Sequence, residues 1–145
     1  MSDIARAGAC AILGATNVGK STFLNAVMGQ KLAITSPVRQ TTRNRIRCVL
    51  QRGRSQIVLV DTPGLHQHRG RLNRRMMRAA LTVLDDVDAV LLEMNFGPGE
   101  SSGRQGLHWL EQILEIEPGM VVVMITAHGD VQTVVEAMKR GATDF

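Results

Sequence analysis

The run Gly14-Ala15-Thr16-Asn17-Val18-Gly19-Lys20-Ser21 fits G-x-x-x-x-G-K-[ST], with strand-like Ala9 to Leu13 before it and helically spaced Ser21 to Met28 after it. Two glycines let a backbone curl so that successive N–H groups converge, and a helix opening at Lys20 adds the positive end of its dipole. Such a cradle attracts phosphate oxygens. Lys20 would reach the outer phosphates of a nucleotide, and the Ser21 hydroxyl would ligand Mg2+. A second group follows: Asp61-Thr62-Pro63-Gly64 closes the strand-like stretch Ile57 to Val60. A carboxylate at a strand tip beside such a loop holds Mg2+, usually through water, and the Gly64 N–H can meet a terminal phosphate. Alone, the second group would read as a β-turn with Pro in its second position.

These groups need elements to hold them. Ile46 to Gln51 and Gln56 to Val60 read as strands joined by a hairpin turn at Arg52-Gly53-Arg54-Ser55. Leu72 to Leu84 has helical spacing with Leu72, Met76, Ala79, Ala80, Val83 and Leu84 on one face. Ala89 to Met94 is a strand, Gln105 to Ile116 a helix closed by Pro118-Gly119, Met120 to Thr126 a strand, and Val131 to Arg140 a helix ended by Gly141. Apolar strands alternating with amphipathic helices call for a mostly parallel sheet covered on both faces. The expected fold is a single α/β domain over 1–145, a three-layer sandwich whose mostly parallel sheet takes one antiparallel strand from the hairpin.

The chain has 145 residues, 44% of them hydrophobic and 21% charged, which suits one soluble globular core and excludes collagen-like and acidic-disordered classes. Its net charge of +4 hides a split: residues 1–84 carry 14 Lys/Arg against 2 Asp/Glu, and residues 85–145 carry 3 against 11. Nucleic-acid contact and mixed ancestry both account for such asymmetry. Residues 39–78 hold 11 Arg and one acid, enough for weak, salt-sensitive adsorption to nucleic acid. With one Trp, no Tyr and three Phe, stacking platforms for single strands are nearly absent. No apolar run approaches the ~20 residues that cross a bilayer, and the first residues lack a signal-peptide core, so a cytoplasmic address without membrane contact is expected. Cys10 and Cys48 fall in strand-like stretches and read as small buried hydrophobes with reduced thiols. His66 and His68 read as exposed loop residues, His128-Gly129-Asp130 as the loop and N-cap of the last helix, and Met76 and Met138 as core fillers.

Residues from about 8 to 92 resemble the N-terminal half of a translation-factor-type P-loop GTPase domain, most similar to the Era family. The carriers are GATNVGKSTFLNAVMGQKLAITSPVRQTTRNRI and VDTPGLH. The resemblance implies GTP or GDP with Mg2+ as ligands, and phosphate contacts from Gly14, Asn17, Val18, Gly19, Lys20, Ser21, Thr22 and Gly64. It implies Mg2+ ligation by Ser21, Thr42 and Asp61, with Gln40 to Arg43 as a switch segment in the polar stretch 31–45. Leu65 stands where other GTPases place the Gln that orients water, so slow hydrolysis is implied. In that family RNA recognition is carried largely by a C-terminal KH-type domain, which these residues do not contain.

The base-reading motifs N-K-x-D and S-A-[KL] are missing, and Thr126-Ala127-His128-Gly129-Asp130 stands where N-K-x-D belongs. From about Asp88 onward the chain resembles the second half of a response-regulator receiver, a flavodoxin-like fold, carried by DAVLLEMNFGPGESSGRQGLHWLEQILEIEP and VVVMITAHGDVQTVVEAMKRGATDF. The resemblance matches Glu93 to the phospho-acceptor Asp and Thr126 to the switch Thr/Ser. Only one of the four groups that receiver chemistry requires survives, so no phosphotransfer is expected. The combined expectation is a recombined chain, 1–92 GTPase-like and 93–145 receiver-like, hybrid between the two folds. In both parent folds the strand reaching Leu92 lies beside the first strand and the next adds outward on the same side, so the resemblances imply a five-stranded sheet of order 2-3-1-4-5 with strand 2 antiparallel. Such a chain would bind nucleoside di- or triphosphates weakly with Mg2+ and with poor base selectivity, hydrolyse them slowly or not at all, and exist as a monomer or as a dimer through an unpaired edge at Met120 to Thr126. A folded chimera without activity and an RNA-binding module are the alternatives.

Overall fold

The computed structural model describes residues 6–14, 20–29, 46–62, 81–94, 102–126 and 129–145. Within them lie strands β1 (Arg6–Leu13), β2 (Ile46–Arg52), β3 (Ser55–Asp61), β4 (Ala89–Glu93) and β5 (Val121–Ile125). Helices α1 (Lys20–Met28), α2 (Arg104–Ile116) and α3 (Val131–Lys139) join a 3-10 helix at Thr82–Asp86. The sheet order is β2-β3-β1-β4-β5, the order that the resemblance implies, with β2 antiparallel to β3 and the other pairs parallel, as the hairpin and the alternation of apolar strands and helices predict. Gly53, at φ 57°, makes the tight reversal that pairs Arg52 with Ser55.

Ala11, Ile12 and Leu13 of β1 are fully buried, the mark of a central parallel strand covered on both faces. Alternation divides its neighbours. Ile12, Leu59 and Cys48 face Leu24 of α1, with Phe23, Val27, Cys10 and Leu91 packed around them. The opposite face sends Leu13, Val90, Leu92, Val122 and Met124 against Leu107, Trp109, Leu110 and Ile113 of α2 and Ala137 of α3. Three layers result. Burial pushes the Cys10 thiol up, partly opposed by a backbone hydrogen bond from Leu91, so the neutral small-hydrophobe role expected of it fits its site.

Three expectations need correction. The helix expected over Leu72 to Leu84 falls largely outside the described residues, and its end is a 3-10 turn, with Val83 and Leu84 buried beneath β4's entry. Met138 is 44% exposed and fills no core: it shares an outward stripe with Val131 and Val135, on the side of α3 away from Ala137. Met76 lies outside the described residues. The edge of β5 is not unpaired. The Thr143 N–H donates to the Val122 carbonyl at 2.7 Å and the Met124 N–H to the Asp144 carbonyl at 2.9 Å. The Val122 N–H donates to the Thr143 hydroxyl at 3.1 Å, so the rungs that would template a dimer are taken within the chain.

Candidate functional site

In a parallel sheet every strand ends on the same side, and loops leaving that side converge. β1 ends at Leu13, and buried Gly14 follows it. α1 opens at Lys20. The helix is held over the sheet because Phe23, Leu24 and Val27 recur at helical spacing and pack on Ile12, Leu59 and Leu91. No acidic residue occupies its first turn, so the positive dipole end is not offset by a carboxylate of its own.

β3 brings the second group alongside. Its register with β1 runs to Ile12↔Asp61, which places the last residue of β3 one step from the root of the glycine loop. One residue further, the Thr62 hydroxyl donates to the Ile12 carbonyl at 2.7 Å in a buried setting. On the other flank Leu13 pairs with Leu92, and Glu93 pairs with Ile125, so Glu93 and Thr126 stand at the same sheet end. Both are half-buried and already engaged in interactions.

Gly14, the Lys20 to Thr22 backbone, Asp61, Glu93 and Thr126 are thus gathered at one end. Asn17, Val18, Gly19, Thr42 and Gly64 lie outside the described residues, as do the switch segment, Leu65, His66 and His68, and the side chains of Lys20, Ser21, Thr22 and Asp61. The donor set suits Mg2+: a hydroxyl and a carboxylate are hard oxygen ligands, and this ion binds through one or two carboxylates plus substrate phosphates. Sequence reasoning missed Thr62, whose signal was a threonine one residue past a strand and immediately before a proline. Asp130 is the expected cap of α3, accepting the Thr133 N–H at 2.7 Å. That bond holds its carboxylate below the usual range.

The described basic residues divide between the two ends of the sheet: Lys20 opens α1 at this end, and Arg47 pairs here with Val60. Arg6, Arg52 and Arg54 are exposed where β1 starts and the β2–β3 hairpin turns, opposite the glycine loop. Asp85, Asp86 and Asp88, also exposed, lie at the entry to β4 on that same opposite side.

A family profile described as 50S ribosome-binding GTPase matches residues 9–127. GTPase Era of Caldanaerobacter subterraneus subsp. tengcongensis is 43% identical over 119 residues, covering 82% of this chain and 39% of that protein. GTPase Era of Geobacter metallireducens is 50% identical over 97 residues, covering 66% and 33%. The chain therefore spans well under half the length of these curated relatives. Among solved structures, a tyrosine-to-alanine variant of Aquifex aeolicus Era bound to GDP and AlF4− aligns over 92% of this chain and 46% of its own, with a TM-score of 0.52 and 26% identity. The cytosolic domain of the T. maritima FeoB iron transporter, in its apo form, aligns over 93% and 49%, with a TM-score of 0.58 and 27% identity. The profile match continues past residue 92 through Glu93 and Thr126, so GTPase likeness covers most of the segment for which a receiver origin was expected. No helix among the described residues is long and apolar enough to cross a membrane.

Proposed function

Because the chain belongs to the 50S ribosome-binding GTPase family, we propose that the sheet end carrying Gly14 and Asp61 is the phosphate site of an Era-type GTPase domain that binds GTP and GDP with Mg2+. The observation that carries this reading is the Ile12↔Asp61 register beside the opening of α1. That register supports the reading because it brings the backbone of a strand-ending aspartate beside the root of a G-x-x-x-x-G-K-S run. Backbone N–H groups from Gly14 to Thr22 would cradle the phosphates, Asn17, Val18 and Gly19 among them. Lys20 would pair with the outer phosphates, and Gly64 would meet the γ-phosphate. Ser21, Thr42 and Asp61 would hold Mg2+, which when bound neutralises charge on the β and γ oxygens. Leu65 cannot hydrogen-bond an attacking water, so hydrolysis by this chain is slow.

A second reading concerns base choice and ancestry. Ala127-His128-Gly129-Asp130 stands where a guanine-reading N-K-x-D would follow β5, and the family match stops at residue 127. These facts favour weak discrimination between bases and a recombined origin for the last residues.

Calorimetric titration of the folded chain with GTP, GDP and ATP in Mg2+ tests both. Binding of GTP and GDP is expected, weakened by Lys20→Ala at least about tenfold, the loss of one charge-assisted phosphate contact. No heat up to millimolar nucleotide, with an intact circular dichroism spectrum, overturns the phosphate-site reading. ATP binding within about tenfold of GTP, less than one hydrogen-bonding base contact normally provides, supports the second reading. A larger preference for GTP removes it.

A further inference from the structure

We infer that Thr62 is a positioning residue, whose hydroxyl locks the Mg2+-binding tip of β3 to the root of the phosphate loop; the inference rests on the phosphate-site reading above. Thr62 is buried, 7% exposed, and its hydroxyl donates to the Ile12 carbonyl across 50 positions of sequence. The place of this bond matters. β1 is held by β4 as far as Leu13↔Leu92, but β3 pairs with it only as far as Ile12↔Asp61. Pro63 follows, and proline has no N–H with which to continue a ladder. The threonine hydroxyl therefore supplies a side-chain rung one residue past the last backbone pair, where the chain must leave the sheet.

The consequence falls on two neighbours. Asp61 is covalently next to Thr62, and Gly14 is two residues from Ile12. A rigid link between the two tips fixes the spacing between a carboxylate that would hold Mg2+ and a loop that would hold the phosphates to which the same ion binds. Groups that orient ligands in this way, without touching the ion, matter most when the ion is present. Nucleotide held by the loop alone does not need the spacing. The bond thus separates the Mg2+-dependent part of binding from the part that the loop provides.

The test compares the full chain with Thr62→Val, which keeps the branched shape and loses the donor, and Thr62→Ser, which keeps the donor. GDP affinity is measured in EDTA and across a Mg2+ titration. Amide exchange at Leu13 and Gly14 is followed without nucleotide or metal. Thr62→Val is expected to leave GDP binding in EDTA within about twofold while weakening the apparent Mg2+ affinity of the nucleotide complex about tenfold or more, in the range seen for residues that orient metal ligands. Faster exchange at the β1 tip should accompany it, and Thr62→Ser should restore both. If Thr62→Val unfolds, Thr62→Ser together with Thr62→Cys, a weak donor of similar size, carries the comparison. Equal loss in EDTA and in Mg2+ would make the role purely structural and overturn the inference, as would an unchanged Mg2+ titration in a folded variant. A wild-type chain that binds no Mg2+–nucleotide overturns the phosphate-site reading itself, which is a different outcome from a wild type that binds and a variant that matches it.

Discussion

At Gly106 the absence of a side chain sets how close α2 can come to the strand it follows. A Cβ there would lie 2.6 Å from the Met94 Cα and 2.8 Å from the Met94 carbonyl oxygen, both backbone atoms that cannot swing aside. The Gly106 N–H also donates to that carbonyl at 3.2 Å, tying the helix to the residue just past β4. Alanine gains at most about 1 kcal/mol of helix propensity, whereas an overpacked methyl costs about 1–3 kcal/mol. Gly106→Ala should therefore lower the urea midpoint. Gly119→Ala, whose nearest new neighbour is a side-chain oxygen at 3.8 Å, should leave it nearly unchanged. Two equal midpoints would show that Met94 can yield. Thr62 and Gly106 share a logic: one follows the end of β3, the other lies in the first turn of α2 against the residue that follows β4, and each is a small residue that fixes how the chain sits against a strand's end.

Helix α3 is an element whose hold on the molecule is local. It buries Ala137, turns Val131, Val135 and Met138 outward, and starts on the Asp130 cap. Arg140 just past its end, in ion pairs with Glu111 of α2 and Glu136, ties it to its neighbour. The Thr133 N–H holds the Asp130 carboxyl below its ordinary range, so the charged form is favoured in the fold. Stability from this source is complete above the ordinary carboxylate pKa and is lost as pH falls through the lowered one. The stability difference between wild type and Asp130→Asn, followed by urea titration, should shrink as pH drops from about 5 toward 2, since the amide accepts the same bond without titrating. A constant difference would mean that the charge contributes nothing.

For the whole molecule, the exposed rim of the sheet and the distribution of charge decide how the chain meets others. Thr143 and Asp144 occupy the outer rungs of β5 between Val122 and Met124. Thr143→Pro removes both the N–H that donates to Val122 and the hydroxyl that accepts from it. Light scattering is expected to give a monomer for the wild type and a concentration-dependent rise in mass for the variant, because freed rungs and apolar Val121 invite pairing. A variant that stays monomeric would assign edge protection to the twist of β5 instead. Among the described residues the basic excess of the first 84 is split between the two ends of the sheet, with Lys20 and Arg47 at the phosphate end. Arg6, Arg52 and Arg54 stand at the far end of the sheet, near Asp85, Asp86 and Asp88.

Local chemistry was legible in the residues themselves. The G-x-x-x-x-G-K-S run, the strand-ending Asp61, the hairpin at Gly53 and the cap at Asp130 each depend on neighbours within a few positions, so spacing alone located them; alternating apolar strands with helices was enough to make the sheet mostly parallel, and its order came from the family resemblance. The outward stripe of α3 was not legible, because Met138 looks the same in sequence whether a partner covers it or water does. Nor was the closed edge of β5, which depends on the chain returning after a helix to lie along a strand some 20 positions earlier. The Thr62 bond is the clearest case. A threonine before a proline is an ordinary turn residue until the parallel register of β1 and β3 brings the Ile12 carbonyl within 2.7 Å of its hydroxyl. Sequence named the groups that could do chemistry; only the sheet, by making distant strands end together, decided which of them meet.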